Sequence, residues 1–189
     1  MESKYTEIGI CGLSCRLCPM YHIKGESRCS GCKSESRKFV GCTFIRCAIK
    51  KKGIEFCWDC EENIECEKWN KHREASKVGD SFVSYQKLED NIGFIQEKGI
   101  EQFEKEQLLR EKLLKEMLHE FNEGRSKTFY CISATVLEIG ELINALNEAR
   151  KQSEDLNIKE KAKVLHQILD NIAERKNYYL KLRKWKTKQ

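Results

Sequence analysis

The chain has 189 residues, the size of one domain or two small ones, with a formal net charge of +5, 34% charged and 40% hydrophobic residues. This composition argues against a disordered chain, and no stretch approaches the roughly 20 apolar residues that a membrane span needs. Ten of the eleven cysteines lie between Cys11 and Cys66, whereas the rest of the chain has only Cys131. We therefore expect two domains, a cysteine-rich domain over residues 1–72 and a second domain over residues 73–189.

The N-terminal residues bear on the compartment and on the chemistry of the thiols. MESKYTEIGI lacks the basic start and the continuous apolar run of a secretory signal, so we expect a cytoplasmic protein. Thiols stay reduced there, which favours metal binding over a disulfide framework for clustered CxxC pairs. Two four-thiolate zinc sites would lower the net charge from +5 to about +1. The basic charge balance is therefore weak support for a nucleic-acid partner.

The spacing of the cysteines predicts metal sites. Three pairs, Cys15/Cys18, Cys29/Cys32 and Cys57/Cys60, are each separated by two residues, and two such turns complete a tetrahedral zinc site. The first two pairs fit one site, and a second would draw on the cysteines from Cys42 to Cys66. The candidate metal ligands are Cys11, Cys15, Cys18, Cys29, Cys32, Cys42, Cys47, Cys57, Cys60 and Cys66. We expect two zinc ions, whose two four-cysteine sites would use eight of the ten cysteines. The other two cysteines are either spare thiols or ligands of a third or bridged ion.

Other readings of these cysteines compete with zinc. Cys11, Cys15 and Cys18 spell CxxxCxxC, which also suits an iron–sulfur cluster with a redox or electron-transfer role. Radical-SAM enzymes share that spacing, but the sequence has no run of βα units to build their barrel. A redox-active dithiol is disfavoured because a βαβ context is lacking. His22 and His72 lie near the clusters, but we expect solvated side chains because enough thiols are present.

Four segments of this region carry a family resemblance. CGLSCRLCPMY (11–21), CSGC (29–32), CTFIRCAIKKKGIEFCWDC (42–60) and ENIECEKW (62–69) resemble the domain-of-unknown-function 3795 family of cysteine-rich prokaryotic proteins. The resemblance covers residues 8 to about 70 and departs at Glu65, where the family often has a proline. Residues 124–142 look like a helical extension of a subset of that family. The resemblance implies a zinc-binding metal domain and no particular reaction.

The remainder of the chain predicts four amphipathic helices. The first follows a cap at Asp80 or Ser81 and stops at Gly99, with its apolar face formed by Tyr85, Leu88, Ile92 and Ile95. The second runs from about Glu101 to Phe121, where Asn122 and Gly124 end it. Short joins between such helices favour an antiparallel helical bundle. The predicted fold class is therefore mainly α, with a small irregular cysteine-rich metal-binding domain before the bundle.

The third and fourth predicted helices complete the bundle. The third runs from about Lys127 to Gln152, with a stripe from Phe129 to Leu146 that leaves Tyr130 and Cys131 to one side. Cys131 is expected to be a packing residue. The fourth begins at Asn157, where the N-x-x-E pattern with Glu160 predicts a capping box.

Few residues of this helical part suggest chemistry. Glu138 and Glu141 share a helix face, but such carboxylates are usually solvated, and His119 and His166 stand alone. The tail, residues 175–189, combines seven basic residues with Tyr178, Tyr179 and Trp185. This pattern could bind single-stranded nucleic acid, but an ordinary basic helix end is favoured.

These patterns favour a cytoplasmic zinc-binding protein whose molecular role is unknown. A ligand set with an open position, which catalytic zinc requires, is not recognisable, so we expect structural zinc that supports an interaction surface. No catalytic constellation is identified, which favours a non-enzymatic role with an unknown protein partner and no membrane. The alternatives are an iron–sulfur protein and, second, nucleic-acid binding through the tail.

Overall fold

The described part of the chain is mainly helical, as predicted. The computed structural model describes residues 3–34 and 42–184, and no strand occurs among them. The α-helices of these residues are α1 (Thr43–Ile45), α2 (Glu67–Ser76), α3 (Leu88–Lys98), α4 (Ile100–Glu120), α5 (Lys127–Val136), α6 (Ile139–Gln152) and α7 (Ile158–Arg175). A π-helical turn, Arg46–Lys52, continues α1, and short 3-10 helices lie at Cys15–Leu17 and Cys57–Asp59.

The largest hydrophobic core lies among the helices from α4 to α7. α6 packs along α7, and α4 contacts both α3 and α5. Leu114, Met117, Leu165 and Leu169 are completely buried in this core, and α7 begins at the predicted cap, where the Asn157 side chain accepts from the Glu160 backbone N–H. The predicted second helix is confirmed, and the fourth is confirmed at its start but ends at Arg175, before the predicted continuation to Tyr179 and Leu182. The first begins later than predicted, at Leu88, so Tyr85 precedes it. The antiparallel order of the bundle stays a prediction.

The predicted third helix, by contrast, is divided, so the prediction of one helix over 127–152 was wrong. α5 ends at Val136, Leu137 is extended, and Glu138 is the N-cap of α6 in a capping box with Glu141. The apolar stripe gave no sign of this break because it continues on both sides of it. The Arg110 side chain occupies the break: its Nη1 donates to the carbonyl oxygens of Ala134 and Leu137 at 2.8 and 2.6 Å.

Tyr130 and Cys131, which the stripe places to one side, are in fact core residues. Both are almost completely buried, and the Tyr130 hydroxyl donates to the Phe121 carbonyl oxygen at 3.0 Å. Ile143, which belongs to the predicted stripe, is 39% exposed instead. The core face of this region is therefore broader than the predicted stripe, of which Ile132, Val136 and Leu146 are buried. Cys131 has the packing environment that was expected for it.

The cysteine-rich segment packs onto the helical region. Ile8 joins Ile95 and Phe103 in one apolar cluster, and Leu13 joins Leu88 and Ile92 in another. Leu17 extends into the main core. An ion pair adds to these contacts, since Arg16 Nη1 lies 2.9 Å from the buried Glu111 carboxylate of α4. The predicted boundary after residue 72 falls inside α2, and the division into two domains stays a prediction.

The residues after α7 fold back onto the segment between α2 and α3. The Arg183 guanidinium donates to both oxygens of Asp80 at 2.9 Å, and the Asp80 N–H donates to the Arg183 carbonyl oxygen at 2.9 Å. The Asp80 side chain is fully buried. Burial opposes ionisation of Asp80, but the hydrogen bonds from Arg183 and from the Tyr85 backbone outweigh it and hold its pKa below the ordinary value.

We predict that Asp80→Asn lowers the free energy of unfolding by about 3 kcal/mol, because it leaves the Arg183 charge without its partner. Glu89→Gln, which removes an exposed ion pair with Arg73, should cost about 0.5 kcal/mol. Urea unfolding measures both. Because the pKa of Asp80 is lowered, its contribution should be complete above about pH 4 and fade as the pH falls further. Equal losses in the two variants would contradict this assignment.

Candidate metal centre

Six cysteines line one cavity of about 510 Å³ on the cysteine-rich segment, which we call the thiol cavity. They are Cys11, Cys15, Cys18, Cys29, Cys32 and Cys42. The two CxxC pairs of the first predicted site, Cys15/Cys18 and Cys29/Cys32, are therefore on the same cavity. Cys42, which spacing grouped with the later cysteines, also lies here.

Local backbone hydrogen bonds bring the two pairs together. The Cys15–Leu17 turn closes with a bond from the Cys18 N–H to the Cys15 carbonyl oxygen at 3.0 Å, and the Cys29 N–H donates to the Met20 carbonyl oxygen at 3.0 Å. The Cys32 N–H then donates directly to Cys15 Sγ at 3.2 Å. Such N–H···S bonds stabilise a thiolate more than a thiol, because the acceptor then carries the charge.

Position 31, inside the CSGC turn, requires glycine both because of its backbone conformation and because of its close neighbours. Its φ is +110°, in the region that favours glycine. A Cβ at this position would lie 2.5 Å from the Thr6 carbonyl oxygen. The turn that presents Cys29 and Cys32 is thus pressed against the chain before Cys11, and no larger residue fits there.

Three thiols of the cavity, those of Cys11, Cys15 and Cys18, resist ionisation without a cation. Burial, followed by the nearby Cys32 and Cys42, raises the pKa of Cys11 to about 12. A side-chain hydrogen bond with Cys32, followed by burial, raises the pKa of Cys15 well above its usual value, and burial raises that of Cys18. Neutral thiols are therefore favoured at pH 7, and a metal ion would have to displace their protons.

Cys57 and three neighbouring cysteines form a second group. Burial, followed by the nearby Cys11, Cys47, Cys66 and Cys60, raises the pKa of Cys57 to about 12. We call Cys47, Cys57, Cys60 and Cys66 the Cys57 group. Cys11 lines the thiol cavity and also packs against the same apolar cluster as Cys57 and Cys66, so it borders both groups. The ten predicted ligands thus divide into six and four.

The thiols are near one another but do not form a ready-made coordination site. Within residues 3–34 and 42–184, which include all the cysteines, no group of three or more Cys, His, Asp or Glu side chains is arranged to hold a metal ion, and no disulfide is formed. The donor set itself fits zinc, because soft thiolates in pairs of CxxC turns are its usual ligands.

The two histidines near the clusters are half-buried, so the expectation of solvated side chains was wrong. His22 Nε2 lies 2.6 Å from the Arg16 carbonyl oxygen. His72 lines the thiol cavity, where its ring contacts Phe44 and Tyr85. Burial lowers the pKa of both imidazoles. The neutral ring is the form that binds metals. Of the two histidines, His72 lines the thiol cavity and His22 does not, so His72 is the one that adds a further donor there.

Sequence reasoning overlooked the buried cation beside the thiols. Lys33, directly after CSGC, is only 1% exposed; its Nζ lies 2.5 Å from the Glu55 carboxylate and 4.1 Å from the centre of the Phe56 ring. Burial lowers its pKa, and Glu55, Cys15 and Cys11 act in the opposite direction. A lysine is normally exposed, so no sequence pattern distinguishes this one; its position brings positive charge close to the thiols.

The remaining candidate residues have structural partners. Glu138 and Glu141 form the capping box of α6, and His166 Nε2 lies 2.7 Å from Ser126 Oγ. Lys52, the last of three consecutive lysines from Lys50, pairs with Glu62 at 2.6 Å. In the basic tail Arg183 is held by Asp80, whereas Trp185, Lys186 and Lys188 lie outside the described residues.

The comparisons with known proteins identify the cysteine-rich segment only. Residues 7–71, about a third of the chain, match the sequence profile of the family described as "Protein of unknown function (DUF3795)". This match confirms the predicted resemblance. No curated protein matches the chain, and no solved structure matches it. Of the helices in the described residues, none has both the length and the apolar character needed to cross a membrane.

We predict that Gly31→Ala destabilises the protein more than Gly25→Ala. Both positions have a positive φ, but a Cβ at Gly25 meets no atom within 4 Å. Backbone strain alone should cost about 1–2 kcal/mol at Gly25, and the clash with Thr6 should raise the loss at Gly31 to about 3 kcal/mol or more. Urea unfolding measures the difference. Similar losses at the two glycines would show that Thr6 does not press on the turn.

Proposed function

We propose that the cysteine-rich segment binds zinc through thiolates and that the zinc is structural, supporting an interaction surface in a reducing, cytoplasmic environment. The observation that carries the proposal is the meeting of Cys15/Cys18 and Cys29/Cys32 on one cavity, joined by the 3.2 Å bond from the Cys32 N–H to Cys15 Sγ. These pairs would supply one four-thiolate site. The Cys57 group would supply the second.

The donor chemistry supports a structural rather than a catalytic zinc. A site of four thiolates has no open position for water or substrate. Each thiol must lose its proton, and the raised pKa values of Cys15 and Cys57 mean that in these two ligands the loss depends on the cation. In this proposal the sulfurs close around the ion when it binds.

An iron–sulfur cluster is the second candidate, and one observation favours it. Cys11, Cys15 and Cys18 of the CxxxCxxC pattern all line the thiol cavity, and Phe44 and Val83 line it as well. A cluster needs three or four thiolates and space for several atoms, and apolar surroundings tune its potential. Electron transfer would then be the role.

Metal analysis of protein prepared anaerobically, without a metal-affinity column, tests both candidates. We predict two zinc ions per chain, little iron and no visible absorbance. Cys15→Ser should lower the zinc content by about one ion, because four ligands are needed for a closed site. Cys131→Ala is the matched control, since that thiol is buried in the helical core and should leave the zinc content unchanged.

Two outcomes would contradict the zinc proposal. Iron with acid-labile sulfide and a brown colour would favour the cluster. A chain that holds neither metal, and whose unfolding is unchanged by added zinc, would remove both candidates.

A further inference from the structure

A second cavity lies where the cysteine-rich segment meets the helical region. Its volume is about 230 Å³, and we call it the polar cavity. Ser14 contributes from the cysteine-rich side, α3 contributes Phe94, and α4 contributes Phe103, Gln107 and Arg110. Neither metal candidate uses this cavity, although Ser14 also borders the thiol cavity.

Three buried polar side chains of the polar cavity have unused hydrogen-bonding capacity. Ser14 is 7% exposed, and its hydroxyl is the buried side-chain oxygen without a hydrogen-bond partner in the described part of the chain. Gln107, 5% exposed, makes no side-chain hydrogen bond with any described residue. A buried polar atom without a partner is costly. The Ser14 hydroxyl is such an atom, and the Gln107 amide and the Arg110 guanidinium border the same space, which indicates that something polar occupies it.

Arg110 adds a positive charge without an ion-pair partner. It is 9% exposed and belongs to no salt bridge among residues 3–34 and 42–184. Its Nη1 donates hydrogen bonds to the carbonyl oxygens of Ala134 and Leu137. Its Nη2 and Nε have no hydrogen-bond acceptor among the described residues. A planar guanidinium with free N–H groups is suited to a carboxylate.

Negatively charged side chains also line the polar cavity. Glu106 and Glu138 both border the cavity and are the carboxylates that act on Arg110 electrostatically, but neither forms an ion pair with it. The other cation of the lining, Lys87, is paired with Asp90 at 2.9 Å. The cavity is therefore lined by a guanidinium without an ion pair, by the Glu106 carboxylate and by the Glu138 carboxylate, which also caps α6, with the rings of Phe94 and Phe103 as apolar lining.

We propose that the polar cavity binds a small zwitterion of the size and chemistry of an α-amino acid. Its carboxylate accepts hydrogen bonds from Arg110, Gln107 and Ser14. Its ammonium group lies toward Glu106 and Glu138, and its side chain contacts Phe94 and Phe103. A purely anionic ligand is disfavoured by the two carboxylates, and a purely cationic one would leave Arg110 without a partner.

Isothermal titration calorimetry of the full chain with each of the common L-amino acids tests the proposal. We expect at least one to bind, and its N-acetyl and amide derivatives, each lacking one charge, to bind at least about tenfold more weakly. No binding by any amino acid at millimolar concentration would show that the cavity holds only water and would overturn the proposal. Equal binding of the derivatives would overturn it as well.

A serine variant distinguishes a ligand-binding role from a structural one. Ser14→Ala removes an unpartnered buried hydroxyl, so it should raise the urea midpoint of the free protein while weakening the amino acid about tenfold. Ser133→Ala is the matched control, because Ser133 is buried outside the cavity and bonded to the Phe129 carbonyl oxygen. It should lower the midpoint and leave the affinity unchanged. Unchanged affinity in Ser14→Ala contradicts the proposal, and because zinc content is measured separately, this failure is distinct from a failure of the zinc proposal.

Discussion

The packing of the cysteine-rich segment against α3 and α4 is the constraint on which both cavities depend. Two of its buried apolar residues, Ile8 and Leu13, pack in clusters with Ile95, Phe103 and Ile92 of these helices. Other buried residues of the segment, such as Ile10, Ile45 and Ile49, pack against one another. The approach is close, because a Cβ on Gly12 would lie 3.2 Å from Ile92. Gly12 directly follows Cys11, so α3 contacts the chain at the point where the candidate ligands begin.

Ion pairs between distant segments accompany this packing. Arg16 reaches the buried Glu111 carboxylate, Lys33 is buried against Glu55 beside the thiols, and Arg183 returns from the C-terminal end to Asp80. Each contact joins residues that are far apart in the sequence. Of the two buried cations among residues 3–34 and 42–184, Lys33 has a carboxylate partner and Arg110 has none. In our account, zinc would compensate the negative charge of the thiolates. The carboxylate of the ligand in the polar cavity would compensate the positive charge of Arg110.

Local patterns in the sequence predict part of this structure. The capping box at Asn157, the turn ending α4 and the meeting of the first two CxxC pairs all depend on residues close in the sequence, and the structure has them. The break at Leu137 was not predictable from periodicity, since the apolar stripe passes through it without a change of register. The burial of Tyr130 and Lys33, and the position of Cys42 on the thiol cavity, depend on contacts between distant segments. Only the folded chain shows them.

The zinc affinity of Ile92→Ala, compared with that of Leu169→Ala, tests most directly whether the helices position the thiols. Both substitutions remove a buried side chain and should each lower the free energy of unfolding by about 2–5 kcal/mol, but only Ile92 packs in the cluster that contains Leu13. Competition with a chromophoric chelator under anaerobic conditions measures the affinity while each variant stays folded. The account predicts that Ile92→Ala weakens zinc binding and that Leu169→Ala leaves it unchanged. Equal affinity in the two variants would contradict it.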